Sequence, residues 1–169
     1  QVTGIVYDAS TNQPIEGAII EILEHTGSVL KPRLTNEFGR YRRILGPGTY
    51  TISIRAEGYL PQEIYTVANN SAMTMENITL LPAPVHQLTL NLYHETMDVN
   101  TIEGLIINEF GTEEIQITTG SNIYELPEGD YQVSFVLDGE LMPWEKSFSL
   151  STDLELTVPY WNGNPQILS

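Results

Sequence analysis

The run from Tyr41 to Tyr59, YRRILGPGTYTISIRAEGY, constrains the fold more than any other part of the chain. Pro47-Gly48 divides it, since proline fixes its own φ and glycine accepts the backbone conformations that a tight turn demands. Beyond that turn Tyr50, Ile52 and Ile54 alternate with Thr51, Ser53 and Arg55. That is the period-2 pattern of a strand with one buried face. Gly58 then closes the strand. No helical apolar period of useful length occurs elsewhere, so the chain reads as all-β.

The same reasoning places strands in the first half at about 2–8, 17–25, 29–34, 40–46, 49–56, 62–68 and 73–81. The clusters Ser10-Thr11-Asn12-Gln13-Pro14 and Asn36-Glu37-Phe38-Gly39 read as hairpin connections between them. The second half repeats the pattern at a spacing of 81 residues: Leu45, Gly48, Tyr50, Gly58 and Leu60 correspond to Leu126, Gly129, Tyr131, Gly139 and Leu141. Strands are expected around this second turn at 86–93, 102–108, 113–118, 122–126, 145–150 and 153–158. The pattern predicts two tandem small antiparallel β-sandwiches, an Ig-like architecture.

Charge divides the 169-residue chain the same way. Residues 1 to 83 hold 8 acidic and 6 basic residues, whereas 84 to 169 hold 14 acidic and 1 basic. Pro82 and Pro84 mark the boundary, because closely spaced prolines cannot donate to a central ladder. The expected organisation is a sandwich at 1–81, a Pro-containing linker at 82–85 and a second, acidic sandwich at 86–169, each near the lower size limit for a single core. A net charge of −15 argues against nucleic acid or an anionic membrane as partner. No apolar run is long enough for a membrane-inserted helix. With no cysteine, disulfides and thiolate metal sites are excluded. A start at Gln1 reads as a processed product or an excised fragment.

The segments TGIVYDASTNQPIEGAIIEI (Thr3 to Ile22) and TNEFGRYRRILGPGTYTI (Thr35 to Ile52) resemble the opening and the middle hairpin of the regulatory-like domain that follows the catalytic domain in zinc carboxypeptidases of the D, E and N type. The resemblance covers about residues 1 to 80. It implies a transthyretin-like sandwich that packs on a catalytic domain and supports its folding or stability without supplying catalytic residues. Tyr41, Pro47, Gly48, Tyr50, Gly58 and Tyr59 are the positions it carries over, all as determinants of the fold. Such modules also occur in outer-membrane receptors and adhesins.

The chemistry for catalysis is missing from the sequence. A zinc peptidase needs two histidines and a glutamate on the metal, yet none of His25, His86 and His94 begins a His-x-x-Glu. They read as solvated or edge-strand histidines. There is no Gly-x-Ser-x-Gly elbow, no cysteine nucleophile and no Gly-rich phosphate loop opening a helix. The ending Gln166-Ile167-Leu168-Ser169 differs from the Arg-Gly-Ser-containing close of transthyretin-like hydroxyisourate hydrolases. No cofactor is expected. Glu125, Glu128, Asp130, Asp138 and Glu140 flank two neighbouring turns and leave structural calcium open, although they lack the spacing of a calcium loop.

Two groups remain as binding candidates. Lys31, Arg33, Arg40, Arg42 and Arg43 are 5 of the chain's 7 basic residues and lie on two strands joined by the turn at 36–39. Pairing of those strands would gather them into a patch that docks an acidic surface, in a catalytic or neighbouring domain of the same chain. The alternative is charge protection of a sheet edge. Trp144, Tyr160 and Trp161 follow prolines at strand ends and are candidate rings for a glycan or protein ligand, with core packing as the competing role. Asn69 and Asn77 open sequons. Together these features lead to a non-catalytic accessory region of a secreted, periplasmic or cell-surface protein, with a surface adhesion module as the alternative.

Overall fold

The computed structural model describes residues 1–93, 101–135 and 144–159. The chain divides into two compact units, Gln1–Ala83 and Pro84–Ser169. In the first unit the strands are β1 (Val2–Asp8), β2 (Ile19–Ile22), β3 (Arg33–Leu34), β4 (Arg40–Arg43), β5 (Gly48–Arg55), β6 (Gln62–Ala68), β7 (Thr74–Met75) and β8 (Ile78–Leu80). Two sheets result. One has β1 between antiparallel β4 and the parallel pair β7 and β8; the other runs β3-β2-β5-β6, antiparallel throughout. Alternation does the sorting: Val2 and Val6 from the first sheet meet Ile20, Ile22, Ile52 and Ile54 from the second in one buried core.

The turns at Pro47 and at Asn36–Gly39 are crossings between sheets, not the hairpins the sequence suggests. β4 pairs with β1, while β3 pairs with β2 and β5 with β2 and β6. The physical reason is that both flanking strands carry inward apolar side chains. Tyr41 and Leu45 face Ile52 and Ile54 across the core, which two strands of one hairpin cannot do. Two expected strands are also shorter. β2 ends in a 3₁₀ turn, Leu23–His25, and the Glu24 carboxylate accepts the Thr51 N–H at 2.8 and 3.0 Å in place of a further ladder residue. Pro32, lacking an N–H, leaves β3 only two residues.

The expected last strand, 73–81, breaks at Glu76 and Asn77. There the Glu76 backbone rides over Gly4, so closely that a Cβ on Gly4 would lie 1.8 Å from the Glu76 carbonyl oxygen. That carbonyl accepts the Tyr41 hydroxyl at 2.7 Å, and Asn77 Oδ1 accepts the Ile5 N–H at 3.0 Å, so the interrupted ladder stays satisfied.

The second unit comprises β9 (Val85–Tyr93), β10 (Ile102–Asn108), β11 (Gly111–Ile117), β12 (Gly120–Pro127), β13 (Gly129–Phe135), β14 (Trp144–Leu150) and β15 (Leu154–Pro159). Its sheets are β11-β10-β13-β14 and β12-β9-β15. Leu88, Leu90 and Val158 from one sheet and Ile106, Val133 and Phe135 from the other fill its core.

The two units share one topology. In each, the successive strands visit the sheets in the same order, and the last strand runs parallel to the first, β8 on β1 and β15 on β9. The spacing of 81 also holds in detail. Tyr50 donates its hydroxyl to the Gly46 carbonyl at 3.1 Å, and Tyr131 donates to Pro127 at 2.6 Å, four residues back in both cases. Gly48 and Gly129 open the equivalent strands, and Leu45 and Leu126 are both buried. Gly139 and Leu141, the remaining members of the echo, lie outside the described residues.

Around the boundary, Tyr59 bridges to Pro82, and Ala83 N–H donates to the Gly58 carbonyl at 2.9 Å within the first unit. The Pro84 carbonyl accepts the Glu128 N–H at 2.7 Å within the second.

Candidate functional site

The five clustered basic residues occupy the side of the first unit where β3 and β4, each the outermost strand of its sheet, end up as neighbours in sequence but not in a ladder. Arg40 and Arg42 point outward from β4, whereas Tyr41 and Arg43 point inward. Asn36 sets this register: its Oδ1 accepts the N–H groups of Phe38 and Arg40 at 3.0 and 2.9 Å, and Gly39 takes a φ of 67°. Arg42 donates to Gln1 Oε1 at 2.7 Å. The outward face beside Arg40 holds an open groove of about 510 Å³ lined by Ile5, Tyr7, Pro14, Asn36, Phe38 and Arg40.

Arg33 belongs to the other sheet, Lys31 lies in the segment that leads into it, and both are exposed. The expected pairing of the 29–34 and 40–46 segments therefore does not form. Arg43 links the two sides instead, being only 4% exposed and donating from Nη1 to the Lys31 carbonyl at 2.9 Å. Burial first, and the neighbouring Arg33 charge second, push its guanidinium pKa below the usual value. Thr35 pins the crossing between the strands: it is buried, donates to the Ile15 carbonyl at 2.7 Å and accepts the Ala18 N–H at 2.9 Å.

A second polar node sits at the far end of β1. The Asp8 carboxylate accepts Ser10 N–H and hydroxyl at 2.7 and 2.6 Å, Thr11 N–H at 3.2 Å and the Tyr59 hydroxyl at 2.6 Å. The hydroxyl of Ser10 is the main cause that lowers the Asp8 pKa to about 2, followed by that of Tyr59. The same bond, with some burial, raises Tyr59 to about 12. These bonds fasten the turn after β1 to Tyr59, a structural node.

The remaining candidates are placed as follows. Trp144 faces Phe135 across the β13–β14 ladder with ring centres 6.0 Å apart and packs half-buried on the core of the second unit. Tyr160 and Trp161 lie outside the described residues, as do His94, Asp138 and Glu140. His86 is on the central strand of its sheet rather than at an edge, and its Nε2 lies 3.2 Å from Glu128 Oε2. His25 meets Tyr50 edge-on at 5.7 Å. Glu128 is thus engaged by His86, and Asp130 accepts the Ser149 hydroxyl. Among the described residues no group of three or more histidines, cysteines and carboxylates is arranged to hold a metal. Sequence reasoning missed the groove, because Ile5 and Tyr7 read as the outward half of an alternating strand. Phe38, 60% exposed inside a polar turn, was the available signal.

Comparison with known proteins agrees with this reading of the first unit. Residues 1–81 match the family model of the carboxypeptidase regulatory-like domain, and the first unit is such a domain, a non-catalytic class. Carboxypeptidase D of Mus musculus is 26% identical over 98 residues, 58% of this chain and 6% of that protein. Among solved structures a streptococcal ancillary pilin superposes on 98% of the chain and 62% of its own with a TM-score of 0.53 and 14% identity, a likeness of fold. The chain therefore spans a small fraction of the curated relative's length and under two thirds of the pilin's.

Proposed function

We propose that this chain is a non-catalytic accessory region of a secreted, periplasmic or cell-surface protein, whose first sandwich docks on an acidic surface of a catalytic or neighbouring domain and supports its folding or stability. The observation that carries the proposal is the concentration of Lys31, Arg33, Arg40, Arg42 and Arg43 on one side of a regulatory-like domain in a chain of net charge −15. The match to Carboxypeptidase D supports a zinc carboxypeptidase as the parent. Sequencing the polypeptide upstream of Gln1 tests that assignment: a His-x-x-Glu with a later histidine is expected, and an array of further sandwiches would overturn it.

A second reading, a surface module that binds a protein or glycan, is favoured by one observation. The pilin likeness extends over both units, whereas the carboxypeptidase match covers 58% of the chain. Glycan-array binding that disappears in Trp144→Ala would establish this reading in place of the first.

A further inference from the structure

Arg43 presents a problem that the fold alone does not solve. A guanidinium carries five N–H donors and keeps its charge at every ordinary pH. Here the residue is 4% exposed, and its Nη1 reaches the Lys31 carbonyl. Among the described residues no carboxylate pairs with it. The charge of Arg33, of the same sign, acts on it, and Lys31, whose carbonyl it contacts, is an exposed residue. Burying a charge without a counter-charge is costly, and a like charge beside it increases the cost. The bond to the Lys31 carbonyl uses one of the five donors and supplies no negative charge, and Val2, its partner across the β1–β4 ladder, is aliphatic.

From this geometry we infer that the seam between β3 and β4, with Arg43 at its base and Lys31 and Arg33 at its rim, is a binding site for a carboxylate of an acidic, extended peptide segment. The inference rests on the docking reading above and deepens it by naming what is docked. A carboxylate matches the planar fork of a guanidinium, accepts two parallel N–H bonds and supplies the missing negative charge. An extended segment suits the place, because among the described residues β3 and β4 are each the outermost strand of their sheet and a peptide of strand conformation can lie along either. Acidity along the segment is matched by the exposed Arg33 and Lys31, and by Arg40 and Arg42 further along β4.

The experiment is a titration of the full ¹⁵N-labelled chain with a hexaglutamate peptide, following the arginine Nε–H resonances, with hexalysine and inorganic phosphate as comparison probes. The expected result is a saturable shift of the Arg43 and Arg33 signals with hexaglutamate, none with hexalysine, and at least a ten-fold loss of affinity in Arg33→Glu, an exposed position, with the circular dichroism spectrum unchanged. Arg43→Lys, which keeps the charge and loses the fork, is expected to weaken binding to a similar degree. An Arg43 signal that does not move while those of Arg40 and Arg42 do would overturn the seam as the site. Phosphate binding more tightly than the peptide would overturn the carboxylate assignment. If the parent's remaining domains bind the chain and the Arg43 signal still does not move, docking stands and this inference fails alone.

Discussion

Replacing Gly4 by alanine is the sharpest probe of how the first unit is assembled. The added Cβ would fall 1.8 Å from the Glu76 carbonyl oxygen, 2.6 Å from its carbonyl carbon and 2.9 Å from Tyr41 Cε1. Ordinary carbon–oxygen contact begins above about 3 Å, so the Glu76 backbone must retreat by more than an ångström. A flexible side chain could yield, but this is main chain held on both sides by β7 and β8. Two costs follow. Overpacking a tight site costs about 1–3 kcal/mol. Withdrawing the carbonyl also breaks the 2.7 Å bond from the buried Tyr41 hydroxyl, and an unsatisfied buried group costs about 1–3 kcal/mol. The expected total is about 2–6 kcal/mol, a large share of the stability of a unit this small. At about 4–8 °C per kcal/mol for a domain of this size, thermal unfolding of the full chain followed by circular dichroism should show the first unit's transition falling by at least about 8 °C. Tyr41→Phe, which removes only the hydroxyl, should cost about 1 kcal/mol. A Gly4→Ala protein melting within about 2 °C of the parent chain would refute the reasoning.

Three further outcomes are expected. Phe135 is fully buried against Gly104 and Trp144, so Phe135→Ala should lower the second unit's stability by about 3–5 kcal/mol in urea unfolding while leaving the first unit's transition in place. The Asp8 carboxylate titrates at about 2 in the folded chain against 3.8 ordinarily, so its contribution is complete above pH 4 and disappears as pH falls toward 2. Asp8→Asn should accordingly flatten the acid limb of a stability-versus-pH curve in that window, and an unchanged limb would show that Asp8 does not set it. Tyr131→Phe deletes the bond to Pro127 and should cost about 0.5–1.5 kcal/mol in chemical denaturation, with Tyr50→Phe costing a similar or smaller amount at the longer 3.1 Å bond.

Strand positions were legible because alternation is written in each segment separately. Val2 and Val6, Ile20 and Ile22, and Ile52 and Ile54 each announce a buried face without reference to a partner. Pairing was not legible, since a turn such as Gly46-Pro47-Gly48 serves a hairpin and a crossing equally well. The choice rests on whether the flanking apolar faces meet across a core, which is a property of the whole unit. The repeat at 81 residues was visible in five positions, but its meaning lies in shared connectivity, which needs the sheets. The docking candidates were readable as charges and not as a surface. Arg42 and Arg43 are adjacent in sequence, yet one faces outward toward Gln1 and the other inward beneath Lys31. Strand parity separates them, and the length of an arginine side chain lets the inward one reach the segment that leads into β3. Contacts with no local signature, such as Tyr41 with Glu76 and Asp8 with Tyr59, join residues 35 and 51 positions apart.

The docking claim is tested most directly by the affinity of the chain for the rest of its parent polypeptide, measured by calorimetry for the parent sequence and for the double substitution Arg40→Glu with Arg42→Glu. Reversing two outward charges on an electrostatic interface should weaken association by about ten-fold or more and remove most of its salt dependence. Association of unchanged strength and salt dependence in the doubly substituted chain would contradict docking through this face.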